Sequence, residues 1–280
     1  MDGPAPIITI LIVAVTALVS VRAFRDPWLR DKLIFAPEAI LADREYYRLL
    51  TPALLHADAQ HLIFNLLSLY LFGANLEPAI GWGHFLLIYG AAVLGGNLLS
   101  LLIHRRHDYR ALGASGGVCG VIFASIFCLP GGSIYMMLLP IGIPSWLYAI
   151  LFLATEFMGM KSARSNIGHD AHIGGAVIGL LTATALEPEI VRWSPWLYAT
   201  VMGLSVAIFA YLWWNPLHLP LRSFHGRGAR RPVKEPPVPA TARDVDAILE
   251  KISARGLHSL TDKERETLRR AAKKSIGDKL

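Results

Sequence analysis

Long apolar segments alternate with short polar ones along most of the chain. A helix needs about 20 mainly apolar residues to cross the bilayer core, and backbone groups in lipid must bond within their own segment, which favours helices. The pattern therefore predicts an all-α, polytopic bundle of transmembrane helices. The predicted spans are residues 6–23, 60–79, 83–103, 113–129, 144–160, 170–187 and 196–214.

The composition supports a membrane protein whose positive charge lies at one end. Hydrophobic residues make up 54% of the chain and charged residues 17%, whereas a typical soluble domain is about 25% charged. From Pro216 onward there are 15 of the 27 Lys and Arg residues and 8 of the 21 acidic ones, a net charge of +7. Such a tail can contact anionic lipid or nucleic acid. A solvated appendage is the simpler interpretation, and we expect no nucleic-acid partner.

Three regions follow from these patterns. Residues 1–215 contain all the predicted spans, residues 216–240 are a flexible linker rich in Pro, Gly and Arg, and residues 241–280 form a small helical tail whose partner the sequence does not identify. In the tail, Thr261 and Glu264 have the spacing of an N-terminal capping box. Thr241 with Asp244 resembles a second cap, and one face of the helix after it carries Val245, Ile248, Leu249 and Ile252.

Polar residues occupy one face of the second predicted span. His61, Asn65 and Ser68 are spaced i, i+4, i+7 and therefore share a helix face. An ionisable group at the bilayer centre costs at least about 2.5–3.5 kcal/mol, so this face is expected to point into the bundle. It either joins helices by hydrogen bonds or contributes to a polar site.

The fourth and sixth spans each carry a glycine-rich face beside one reactive side chain. Ser115 lies in Gly113-Ala114-Ser115-Gly116, and His172 lies one turn before Gly175. Small residues let helix backbones approach closely. If the two spans cross through these faces, Ser115 and His172 come within hydrogen-bond reach, and a serine needs such a base to become a nucleophile. The alternative is a packing helix with an incidental serine.

The polar residues could also form a catalytic triad or a metal site. Asp170 suggests a triad, but residues i and i+2 of a helix do not face each other, so a Ser115–His172 dyad is favoured; Asp170 and His169 then cap the sixth span. A metal cluster of His56, His61, His169, Asp170 and His172 is disfavoured because H-E-x-x-H is absent and the cysteines, Cys119 and Cys128, are not at ligand spacing. We expect neither a metal ion nor another cofactor.

Taken together, these motifs resemble the rhomboid family of intramembrane serine proteases over roughly residues 5–187. The matching residues are His61-x-x-x-Asn65-Leu66-Leu67, Gly113-Ala114-Ser115-Gly116, Ala171-His172-x-x-Gly175-x-x-x-Gly179, Tyr47-Arg48, and Phe72-Gly73 followed by Glu77. The resemblance implies a six-span core, to which this chain adds a seventh span and the tail. It also implies a multi-pass protein, which we expect in a bacterial inner membrane.

The resemblance also implies roles for individual residues. Ser115 would be the nucleophile and His172 the general base, while His61, Asn65 and the Ser115 backbone N–H would stabilise the oxyanion, with Gly113 and Gly116 supporting the site. Some family members carry an aromatic residue four positions after the serine that stacks on the histidine. Cys119 occupies that position here, which leaves open how the imidazole is held.

The function expected from these features is hydrolysis of peptide bonds in or near transmembrane segments of membrane proteins. A catalytically silent membrane-protein binder or chaperone of the same fold is the main alternative, and a small transporter is a third.

Two signals conflict on the orientation of the protein in the membrane. Basic residues favour a cytoplasmic location for the 24–60 segment, whereas the resemblance places the serine end, on the same side, outside the cytoplasm. We expect the second, because long segments weigh weakly in the charge rule.

Overall fold

The structure, a computed structural model, describes residues 4–135, 142–160, 168–214 and 242–255, together with residues 260, 261, 264, 265, 267 and 268. The chain forms two compact units, Met1–Arg222 and Ser223–Leu280. The described part of the first unit is mainly helical. The predicted cap at Thr241 lies outside the described residues.

Every predicted span corresponds to a helix, and the ends agree to within two residues. Four of the helices in the described ranges are long and apolar enough to cross a membrane: α1, α4, α5 and most of α10. The others are shorter or less apolar, so the number of crossings stays a prediction. The helices are α1 (Ile7–Arg25), α2 (Pro27–Leu33), α3 (Pro37–Leu41), α4 (Ala59–Ile80), α5 (Trp82–His104), α6 (Ser115–Cys128), α7 (Ser145–Met160), α8 (His169–Leu186), α9 (Ile190–Trp193), α10 (Pro195–Trp214) and α11 (Ala242–Arg255).

The core of the first unit forms around α6. Every residue of α6 after Ser115 is buried, and α8 packs closely against both α6 and α5. Glycines make these contacts close. A Cβ on Gly179 would collide with the backbone of Gly120, and one on Gly96 would lie 3.3 Å from the backbone nitrogen of Gly175. The small residues of three helices thus allow backbone-to-backbone packing.

The segment between α1 and α4 is folded and held by side-chain hydrogen bonds. It contains α2, α3 and two 3₁₀ turns, Tyr46–Leu49 and Thr51–Leu54. The buried guanidinium of Arg48 donates to the carbonyl oxygens of Asp31 at 2.6 Å and Ile34 at 2.8 Å. These bonds fix the segment over the serine end of α6, because Gly113 N also donates to Pro52 O at 3.0 Å.

A buried carboxylate ties α1 to α4. Glu77 accepts hydrogen bonds from the backbone nitrogens of Ile8 at 2.9 Å and Thr9 at 2.8 Å, and from the Thr9 hydroxyl at 2.8 Å. It therefore satisfies the free N–H groups at the start of α1. Gly73 makes room for this contact, since a Cβ there would lie 2.6 Å from Thr9 Oγ1.

Two features outside the helical core complete the description. A two-stranded antiparallel sheet, β1 (Ser133–Tyr135) paired with β2 (Gly142–Pro144), connects α6 to α7; the sequence patterns did not predict it. In the second unit the capping box is confirmed, because Thr261 N donates to Glu264 Oε2 at 2.8 Å and Glu264 N donates to Thr261 Oγ1 at 3.4 Å. Of the predicted apolar face of α11, Ile248 is buried and Leu249 is exposed.

Candidate active site

Ser115 is the first residue of α6 and follows a backbone turn that requires glycine. Gly113 has φ of +138°, a conformation that other residues rarely adopt. A Cβ at Gly113 would also lie 3.0 Å from His61 Cε1 and 3.5 Å from Ser115 Oγ. Gly113 is thus needed for its backbone conformation and for the space between His61 and Ser115.

The structure brings Ser115 and His172 into direct contact. His172 Nε2 lies 2.7 Å from Ser115 Oγ, and each side chain comes from a helix that packs through glycine. A Cβ on Gly175 would collide with the carbonyl of Gly116. The crossing expected from the two glycine faces is therefore present, and it places the serine and histidine at hydrogen-bond distance.

A residue that the sequence analysis missed contacts the other side of the same imidazole. Glu156, on α7, has Oε2 3.0 Å from His172 Nδ1 and 2.6 Å from His169 Nδ1. A signal for it existed in the sequence. Glu156 is the single charged residue of the predicted fifth span, and an ionisable residue within a membrane helix is a candidate functional group.

Asp170 pairs with a different histidine. Its Oδ2 lies 3.4 Å from His104 Nε2 on α5, and both side chains are buried. His104 in turn stacks on Tyr109, with ring centroids 3.7 Å apart. The structure thus gives Asp170 a partner other than His172. Gly168, and not His169 or Asp170, occupies the N-cap position of α8.

The polar face of α4 reaches the site through His61. Ala57 N donates to His61 Nδ1 at 3.5 Å, so a neutral His61 carries its proton on Nε2, the atom that faces Gly113. Asn65 Nδ2 donates to the carbonyl oxygen of His61 at 3.0 Å. This bond uses one of the two amide hydrogens of Asn65.

His56, which precedes α4, contacts the backbone of Ala114, the residue before Ser115. Its Nε2 accepts a hydrogen bond from Ala114 N at 3.4 Å, so Nδ1 carries the proton and donates to Ser20 Oγ at 3.0 Å. Ser20 Oγ donates in turn to Leu54 O at 2.7 Å. The pKa of His56 is lowered from 6.5 to about 4, mainly by burial and to a smaller extent by repulsion from His61. His56 is therefore neutral at pH 7, as an acceptor must be.

Ser115 opens onto a cavity of about 930 Å³. Its lining includes His61, Asn97, Tyr109, Ser115 and His169. These polar groups allow water to reach the hydroxyl of Ser115, while the apolar part of the lining can receive an aliphatic side chain.

The five residues of the disfavoured metal cluster do not all come together in the structure. His56 and His61 contact each other with ring centroids 4.9 Å apart, and Asp170 is with His104. Among the residues that the structure describes, one group has metal-ligand spacing: Glu156, His169 and His172, whose donor atoms lie within 4.8 Å of one another. In the structure these atoms are joined by hydrogen bonds.

Two known families match separate parts of the chain, one on each side of the boundary between the compact units at Arg222 and Ser223. The model of the Rhomboid domain matches residues 43–189, which include Ser115, Glu156 and His172. A family of unknown function matches residues 240–274, within the tail.

Individual relatives agree with the family match. The chain is 34% identical over 183 residues to "Rhomboid protease GluP" of Bacillus subtilis, covering 65% of this chain and 34% of that protein. It is 27% identical over 176 residues to "RHOMBOID-like protein 12, mitochondrial" of Arabidopsis thaliana, covering 57% and 52%. It is 27% identical over 130 residues to "Rhomboid protein 1, mitochondrial" of Saccharomyces cerevisiae, covering 45% and 38%. The chain thus spans about a third to a half of the length of these relatives.

Proposed function

This chain belongs to the rhomboid family, and on that premise we propose that it is an intramembrane serine endopeptidase with a Ser115–His172 dyad. The observation that supports this most is the 2.7 Å contact between His172 Nε2 and Ser115 Oγ, on helices of a multi-pass membrane protein. A serine hydroxyl beside an imidazole base can attack a carbonyl carbon. For the membrane itself, we keep the bacterial inner membrane as a proposal.

The proposed reaction proceeds in two halves. Ser115 Oγ attacks the scissile carbonyl carbon while its proton passes to His172 Nε2, giving a tetrahedral intermediate. His172 then protonates the leaving amine, the C–N bond breaks, and an acyl-enzyme remains on Ser115. Water from the cavity, deprotonated by His172, attacks the acyl group, and Ser115 recovers its proton as the acid leaves.

The negative charge of the intermediate needs donors near the serine. His61 can supply the Nε2–H that faces Gly113, and the Ser115 backbone N–H, free at the first turn of α6, can supply another. Asn65 can add its remaining amide hydrogen. Gly113 and Gly116 keep this region free of side chains, so that a substrate carbonyl can approach.

The expected location of Ser115 within the bilayer supports one class of substrate. A stable transmembrane helix hides its carbonyls in hydrogen bonds, so we propose that the substrates are membrane proteins with a locally unstable helix near one face of the bilayer. The cavity beside Ser115 gives an unwound segment and a water molecule access to the same hydroxyl.

The experiment compares wild-type protein, Ser115→Ala and His172→Ala in cleavage of a model transmembrane substrate and in labelling by a serine-reactive fluorophosphonate. Both variants are expected to lose cleavage, and Ser115→Ala to lose the label. Ser125→Ala is a matched control, since Ser125 is the other serine of α6 and is buried away from the cavity lining, and it should keep both activities. A wild-type protein that binds the substrate but neither cleaves it nor takes the label would indicate a silent binder instead.

A further inference from the structure

The imidazole of His172 is held from both of its nitrogens. Nε2 faces Ser115 Oγ at 2.7 Å and Nδ1 faces Glu156 Oε2 at 3.0 Å. To accept the serine proton, Nε2 must be unprotonated, so Nδ1 must carry the hydrogen of the neutral ring. A carboxylate opposite Nδ1 selects that tautomer, because an ionised carboxylate is an acceptor only.

The carboxylate is itself fixed by a second histidine. His169, one turn before His172 on α8, places its Nδ1 2.6 Å from Glu156 Oε2. The side chains of Glu156 and His169 are about 15% and 13% exposed, so water competes weakly for these bonds. The cluster is thus a chain from His169 through Glu156 and His172 to Ser115.

Small residues next to this hydrogen-bonded cluster leave space for its side chains. Gly159 lies one turn after Glu156 on α7, and a Cβ there would overlap the ring of His169. Cys119, one turn after Ser115, is small and buried. In the part of the chain that the structure describes, the His172 ring meets the ring of His169 edge-on, with centroids 6.1 Å apart. Hydrogen bonds, rather than ring stacking, therefore orient the imidazole.

We propose that Glu156 is the positioning residue of the catalytic histidine, so that this protein uses a Ser115–His172–Glu156 arrangement instead of an unsupported dyad. The proposal rests on the proposed protease function. During attack, the proton of Ser115 Oγ moves to Nε2, while the Nδ1 proton stays on the ring and Glu156 stays ionised. Its negative charge stabilises the imidazolium, and a nearby opposite charge has a strong effect in a site of low dielectric.

The test measures kcat, KM and the pH profile of kcat/KM for the full chain, with Glu156→Gln, Glu156→Asp and the matched control Glu187→Gln. Glu187 also pairs with a histidine, His84 Nδ1 at 2.9 Å, but at the other end of α8. We expect Glu156→Gln to lower kcat by about 10²–10⁴-fold with little change in KM. Without the anion the imidazolium is less stable, so the acid limb of the profile should move to lower pH. Glu187→Gln should match wild type.

Several outcomes would overturn the proposal. A Glu156→Gln variant with wild-type kcat would do so, and so would one that loses only thermal stability while its acid limb stays in place. If that variant does not fold, Glu156→Asp decides: its shorter side chain keeps the charge but loses the contact, so a loss of up to about 10²-fold is expected and full activity contradicts the proposal.

Two further measurements distinguish this proposal from a metal site and from failure of the proposed protease function. If chelator changes wild-type activity but leaves Glu156→Gln unaffected, the Glu156, His169 and His172 donors hold a metal ion and the positioning role is wrong. If Ser115→Ala still cleaves substrate, the proposed function itself fails. If Ser115→Ala loses activity and Glu156→Gln keeps wild-type activity, only the role of Glu156 is rejected.

Discussion

Gly175 of α8 lies against the main chain of Gly116 in α6, with no space between them for a side chain. This contact adjoins the proposed active site, because Gly116 follows Ser115 and Gly175 lies one turn after His172. The approach of two backbones therefore sets the distance between Ser115 and His172.

Adding a methyl group at this contact should separate the two helices. In Gly175→Ala the new Cβ would collide with the carbonyl of Gly116. We expect a loss of about 1–3 kcal/mol in stability from overpacking, and a fall of about 10²-fold in kcat because the serine and histidine move apart. Substrate cleavage and thermal unfolding in detergent measure the two effects.

The control for that variant is Gly203→Ala. Gly203 is also a helical glycine, on α10, and a Cβ there meets nothing within 4 Å. It should cleave substrate as wild type does. Wild-type kcat in Gly175→Ala would show that the close crossing is not needed for catalysis.

Comparison with Asn75 distinguishes a catalytic role of Asn65 from a role in helix structure alone. Both asparagines of α4 donate to the carbonyl four residues earlier, Asn65 to His61 at 3.0 Å and Asn75 to Leu71 at 2.7 Å. If Asn65 also stabilises the oxyanion, Asn65→Ala should lower kcat by about 10²–10³-fold, while Asn75→Ala should not. Equal kinetics in the two variants would remove Asn65 from the proposed oxyanion site.

Burial of His56 makes the stability of the protein depend on pH. The pKa of His56 is about 4 in the folded protein and 6.5 when unperturbed, so between these values the unfolded chain binds more protons. The contribution of neutral His56 to the free energy of unfolding is therefore fully present above pH 6.5. It is lost as pH falls toward 4, and the loss reaches up to about 3 kcal/mol. Denaturant unfolding at pH 7.5 and pH 4.5 measures this loss. A His56→Gln variant, which cannot titrate there, should lose less; an equal loss would assign the effect to other groups.

The orientation of Ser115 can be tested with introduced cysteines, because Cys119 and Cys128 are both buried. Asp43, in the segment before α4, and Arg192, on the opposite side of the predicted topology, are exposed. In intact cells, a membrane-impermeant maleimide should label Asp43→Cys and not Arg192→Cys. The reverse pattern would place the serine end on the cytoplasmic side, as the basic residues suggest.

Much of the fold was predictable because lipid allows few alternatives. The apolar segments had to be helices, and their lengths located the helix ends to within two residues. The glycine faces around Ser115 and His172 were also visible, since small residues at a spacing of four mark a close crossing. Gly95 and Gly96 of α5, which pack against α8, were missed although they are an equally plain signal.

The sequence by itself determined which apolar segments form helices, and it predicted that Ser115 and His172 face each other across two glycine-rich helices. Only the tertiary structure decided which carboxylate serves which histidine: Glu156 contacts His172, and Asp170 contacts His104. The physical reason is that helix periodicity fixes which residues share a face but not how each helix is rotated toward its neighbours. That rotation is set by packing of the whole bundle, and it places Glu156 of α7 against His172, the histidine that contacts Ser115.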